Sequence, residues 1–197
     1  MKPDEEIERT VGPIWRELYG GLWHTTHPER FLGIMECGSI LSEPKEIPNA
    51  DRWGTARGPK HYPYVRSIGG VSLFDFHEFD PQSYQSMYPA SRWRVFVPYR
   101  SDWGGAVWIE IDRKHVSPCV LSGRDLLTKW KSGGDLGHNI MPLIEAAYIG
   151  SLPITAFGRA LFISGVHDQF HEIELPEFCR SEYEVLLNGW REDCKNT

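Results

Sequence analysis

Three groups in this chain are suited to chemistry, and they lie far apart in the sequence. His24 and Thr25 close the short apolar run Leu22-Trp23, and Thr26-His27-Pro28 at once begins a helix. A polar His-Thr pair leaving a buried strand and facing a helix start is a common way to build a ligand pocket. Glu145 is the second group, set inside Ile144-Glu145-Ala146-Ala147-Tyr148-Ile149. An ionised carboxylate in such a strand is costly unless a hydrogen-bond partner or a ligand meets it. The alternative is an edge strand that turns Glu145 to water. The third group is the face of Val71-Ser72-Leu73-Phe74-Asp75-Phe76, where alternation puts Ser72, Phe74 and Phe76 on one side.

Other chemistries find no support. No GxGxxG follows a strand, and neither a GxxxxGK[ST] loop nor a GxSxG elbow is present. His167 and His171 stand four apart beside a strand pattern, without HExxH spacing. They read as solvated or hydrogen-bonded imidazoles, and no metal site is expected. Cys37, Cys119, Cys179 and Cys194 form no CxxC pair, as expected of free thiols in a reducing cytoplasm. The net charge of −6 argues against non-specific duplex binding. No apolar run is long enough to span a bilayer, and the polar, acidic start is unlike a signal peptide.

The elements that must position these groups read as one mixed domain over residues 1–197. A helix is expected over 4–19, weakened by Pro13, within an N-terminal helical segment 1–19. The helix after Pro28 stops at Cys37-Gly38, where Gly supplies the left-handed cap. Residues 42–66 lack apolar periodicity and form a long loop of the kind that is usually functional or disordered. Strands follow at 71–76, 106–112, 143–149, 159–164 and 170–175, and helices at 80–88 and 123–131. Residues 176–197 form an acidic C-terminal segment. Without βαβ regularity, this order implies α+β.

The motifs together resemble the ADP-ribosyltransferase superfamily, in particular the His-type branch that includes the DarT-like toxins. The resemblance covers roughly residues 20–165 and rests on Leu22–His27 with the Phe31–Leu41 helix and turn, on Val71–Phe76, and on Ile144–Ile154 with its Pro-Ile. It implies a split β-sheet core with peripheral helices and NAD as co-substrate. It also implies roles for the matched residues. Glu145 is catalytic, stabilising positive charge as nicotinamide leaves. His24 holds a ribose, and the Thr25 backbone meets the nicotinamide amide. Ser72 orients Glu145, and Phe74 or Phe76 stacks on the nicotinamide ring. Arg57 or Arg66, with Arg52 behind them, holds the pyrophosphate from a mobile active-site loop at 42–66.

The chain departs from the Arg-type branch in lacking Ser-Thr-Ser on the middle strand. It also has Leu143 two residues before Glu145, where that branch carries a second glutamate. Arginine-directed modification is therefore disfavoured, and the acceptor is open between a protein and single-stranded nucleic acid. The aromatics of 84–108, interleaved with Arg92 and Arg94, read either as core or as a stacking platform. The toxin branch further implies an antitoxin or immunity partner. Two other readings stand beside the transferase: an NAD glycohydrolase, and a catalytically silent nucleotide- or partner-binding module. The inward or outward turn of Glu145 discriminates them. A partner protein acting through its acidic C-terminus has only the charge run behind it.

Overall fold

The computed structural model describes residues 13–165 and 170–196. The N-terminal part of the helix expected over 4–19, and His167, lie outside these residues. In chain order the main elements are α1 (Ile14–Leu18), β1 (Leu22–Thr26), α2 (Pro28–Cys37), β2 (Ser39–Ile40), α3 (Tyr64–Ser67), β3 (Gly70–Asp75) and α4 (Pro81–Met87). They continue with β4 (Gly105–Ile111), α5 (Arg113–Val116), β5 (Val120–Leu121), α6 (Gly123–Ser132), β6 (Glu145–Ile149), β7 (Leu152–Pro153), β8 (Phe157–Ser164), β9 (Phe170–Ile173) and α7 (Arg180–Asn196).

Seven strands form one sheet in the order β5-β6-β3-β1-β4-β8-β9, with antiparallel ladders throughout, and β2 pairs with β7 separately. Both faces are covered. Trp23, Phe74 and Trp108 pack on one face with Ile14, Trp15 and Leu18 of α1 and Tyr84 of α4. Leu73, Val107 and Ile109 pack on the other with Phe31 of α2 and Tyr183, Leu187 and Trp190 of α7. Burial on both sides explains why β4 reads as an almost unbroken apolar run. The architecture is mixed α and β, as the element order implied.

The ladder between β1 and β3 is short. It pairs Leu22 with Asp75 and Trp23 with Phe74. Beyond that point β1 stays with β4 as far as Thr26↔Val107, and β3 stays with β6 as far as Gly70↔Ile149. The sheet therefore opens along one seam, with β1 on one side and β3 on the other. Arg113 braces the closed end, donating to both carboxylate oxygens of Asp75 and to the Gly21 carbonyl.

Helix α2 starts as its sequence predicts, with Pro28 in the first turn and the His27 ring accepting from the Glu29 amide. It ends on Gly38 at φ 73°. The acidic C-terminal segment proves to be more than a solvated charge run. Tyr183, Leu187 and Trp190 recur at helical spacing and bury one face of α7. Tyr183 donates to the Pro28 carbonyl at 2.7 Å, and Arg180 and Arg191 pair with Glu36 and Glu29 of α2. Among the described residues, no helix is long and apolar enough to cross a membrane.

Candidate functional site

Glu145 is placed by the β3–β6 ladder, which sets it opposite Phe74. Side chains directly opposite, and those two residues along the diagonal, share a face of an antiparallel pair. Ser72 is therefore within reach of Glu145, and its hydroxyl donates to Oε1 at 2.6 Å. The Met141 backbone N–H donates to Oε2 at 2.9 Å. Only 3% of Glu145 is exposed. Burial raises its affinity for a proton, and the two donors oppose that shift by favouring the carboxylate.

The turn before Glu145 keeps Met141 in place. The Glu145 amide donates back to the Met141 carbonyl at 3.0 Å, and Ile144 N–H donates to Pro142 C=O at 2.8 Å. Leu143 takes a left-handed conformation, φ 63°, uncommon for a branched side chain. Gly123, at the start of α6, packs against this turn so closely that a Cβ there would lie 1.9 Å from the Leu143 carbonyl oxygen. The backbone turn explains why strand β6 begins at Glu145 rather than at residue 143.

Across the seam, the His24 Nδ1 lies 3.0 Å from the Ser72 carbonyl oxygen. A carbonyl only accepts, so Nδ1 carries the proton. In the neutral ring, Nε2 is then left as an acceptor. Burial lowers the proton affinity of His24 and favours that neutral form. The Phe76 amide donates to the Gly21 carbonyl at 2.9 Å at the closed end of the seam. Ladder alternation then turns the N–H and C=O of Trp23 and Thr25 toward the β3 side. Thr25 lies past the last β1–β3 pair, so its backbone groups face the opening. Its hydroxyl is buried without a partner.

A cavity of about 690 Å³ lies at this opening, within the range of small-molecule and cofactor sites. His24, Thr25, Ser72, Phe74, Met141 and Glu145 line one part. Arg30 of α2, Arg52 and Trp53, and Phe96 and Trp103 line another, together with Arg66, which the structure places on helix α3 rather than in the loop expected over 42–66. Glu43 ties Arg52 and Arg66 together. It accepts from Arg66 Nε at 3.0 Å and Nη2 at 2.8 Å, and it also pairs with Arg52. The hydrogen bond from Arg66 in particular holds the Glu43 carboxyl below its usual range. Arg66 stacks over Tyr62 at 4.2 Å, and its Nη1 is buried without a partner.

The cavity thus gathers His24, Thr25, Ser72, Phe74, Arg66 and Glu145. Two expected residues are not in its lining. Phe76 has the expected facing, but β3 ends at Asp75, and its ring packs in the core against Trp15, Phe79 and Trp108. Arg57 is also absent from the lining, where Arg52 takes the place beside Arg66. Arg30, Trp53 and Met141 were not foreseen. Met141 acts through a backbone amide, which leaves no mark in a sequence. The 84–108 stretch is mainly core: Trp93 and Trp108 are buried, while Phe96 and Trp103 reach the cavity, Trp103 with Arg100 over its ring at 4.9 Å.

Among the described residues, no group of three or more acidic, histidine or cysteine side chains could hold a metal ion. No protein-family model matches the chain, and no curated protein matches it.

Proposed function

We propose that this chain is an ADP-ribosyltransferase that cleaves the nicotinamide–ribose bond of NAD and transfers ADP-ribose to a macromolecular acceptor. The observation that carries the reading is the buried Glu145 carboxylate at the seam, facing the cavity and held by Ser72 and Met141. Such an anion, fixed by donors suited to its ionised form, stabilises a cation that develops beside it without reorganising. Its inward turn favours an enzyme over a silent binding module.

The residues fit the co-substrate part by part. A nicotinamide carboxamide has one donor and one acceptor side, matching the C=O and N–H that Thr25 turns to the opening. The acceptor nitrogen of neutral His24 suits a ribose hydroxyl. Arg52 and Arg66 suit a diphosphate, and Arg66 has an N–H to spare. Phe74, opposite Glu145 in the ladder, lines the cavity with its ring packed on Phe76, Phe96 and Trp108. NAD supplies a glycosidic bond to a good leaving group, nicotinamide. In this reading Thr25 and His24 would hold the nicotinamide ribose end, Arg52 and Arg66 the diphosphate, and Glu145 would stand beside the bond that breaks.

The test is nicotinamide release from NAD by wild type and by Glu145→Gln, with and without cell lysate. Glu145→Gln should lose about 10²–10³-fold or more in turnover. Dependence on lysate supports transfer, whereas equal release without it supports a glycohydrolase. A folded wild-type protein that releases no nicotinamide in either condition overturns the NAD reading in favour of a binding module.

A further inference from the structure

Two segments distant in sequence are fastened together near Glu145 by side chains not assigned above. His138 Nδ1 donates to the Tyr62 carbonyl at 2.8 Å, and His61 Nδ1 donates to the Gly137 carbonyl at 3.0 Å. The Asn139 side-chain amide donates to the His61 carbonyl at 3.0 Å, and its backbone N–H donates to the Tyr62 carbonyl at 3.3 Å. Tyr64 N–H returns a bond to the Asn139 carbonyl at 2.8 Å, and Trp130 of α6 donates to the His138 carbonyl at 3.1 Å. One side of this fastening is the end of the loop that carries Arg52 and Trp53 into the cavity and leads into α3 with Arg66. The other side runs, two residues after Asn139, into Met141 and its N–H on Glu145 Oε2.

We propose that His138, with His61 and Asn139, forms a positioning clasp that holds the Met141 N–H on the Glu145 carboxylate and ties that carboxylate to the arginine-bearing wall of the cavity. The inference rests on the reading of Glu145 as the reacting carboxylate, but its geometry is independent of the substrate. Both histidines face carbonyls, so Nδ1 keeps its proton whether the ring is neutral or charged, and the clasp holds in both states. The carboxylate it serves has few other partners. Ser72 faces it from β3 and His24 reaches that same residue's carbonyl across the seam. Tyr84 of α4 feels its charge, but burial pushes that phenol up to about 12, so it stays neutral in the range of interest.

The clasp is tested by titrating the Glu145 side-chain carboxyl carbon by NMR, with the resonance assigned by its loss in Glu145→Gln. Nicotinamide release is measured across pH on the same samples. His138→Ala should move the titration midpoint to higher pH by roughly half a unit or more, as a carboxylate loses a donor. His138→Asn, whose amide can reach the Tyr62 carbonyl, should restore it. His61→Ala, on the more exposed side, should move it in the same direction by less, and serves if His138→Ala does not fold. A midpoint identical in wild type and in the folded alanine variant overturns the clasp, whatever the activity. A wild type that titrates as expected but releases no nicotinamide overturns the NAD reading and leaves the positioning role standing.

Discussion

The two sides of the cavity are built by different means. On one side, Ser72 and Glu145 sit on paired strands, where five successive register pairs from Gly70↔Ile149 to Phe74↔Glu145 fix their separation. On the other, Arg52 comes from a segment between β2 and α3 whose secondary structure is limited to the short turns Asn49–Asp51 and Pro59–His61, and Arg66 from the one-turn helix α3 that closes it. The segment's shape depends on side chains capturing main chain: Arg52 on the Ile47 carbonyl, Thr55 on the carbonyls of Asn49 and Arg52, and Arg30 of α2 on that of Asp51. The ladder gives the carboxylate a geometry that survives local change, as a site that must be accurate requires. The loop gives charge and breadth, which suits the holding of an anionic ligand more than chemistry.

That contrast predicts that damage on the strand side appears in kcat and damage on the loop side in KM. The largest effect in this comparison is expected from Ser72→Ala, which removes the donor to Oε1 and leaves a buried carboxylate with one partner. Nicotinamide release should fall about 10–100-fold in kcat with little change in KM, and the acid limb of its pH profile should move to higher pH. A KM effect of the same size would dissolve the distinction. Next comes Arg66→Ala, with a rise of about tenfold in KM for NAD and kcat nearly unchanged, while Arg57→Ala leaves both alone. Steady-state kinetics on the three variants checks both statements.

The smallest effect is on stability and concerns Glu145 itself. Burial makes the folded state bind the Glu145 proton more tightly than the unfolded chain does. That contribution is fully present below the unfolded carboxyl pKa and is lost as pH rises through the raised folded value. Glu145→Gln keeps a neutral group at all pH values. Thermal melts from pH 4 to 8 should therefore show wild type losing stability relative to Glu145→Gln as pH rises, with the variant melting a few degrees higher at neutral pH. A variant that melts lower at pH 7 would mean that Ser72 and Met141 outweigh burial.

Much of this architecture was legible in the chain. Alternation in Val71–Phe76, the apolar run 106–112 and the single acid in Ile144–Ile149 located three central strands and set Ser72 on a common face with Phe74. The features that escaped have no local signature. The two-residue strands β2, β5 and β7 exist only through their partners, and the opening of the sheet depends on where a ladder stops. Phe76 follows the alternation, yet it is the strand's last turn into the core that decides what it touches. The choice of Arg52 over Arg57 was equally invisible, because a loop without periodicity does not tell which of its arginines turns inward. Met141 could not be found at all from its side chain.

The seam in the sheet has a geometric consequence. Strands β5, β6 and β3 form one leaf, and β1, β4, β8 and β9 form another, joined by two residue pairs, by the backbone bonds between Gly20-Gly21 and Phe76 beside them, and by Arg113, which donates to Asp75 and Gly21. The Thr25 backbone rides on one leaf and Glu145 on the other. The space between them is therefore set by how far the two leaves diverge past Trp23↔Phe74, and the His24–Ser72 hydrogen bond spans it.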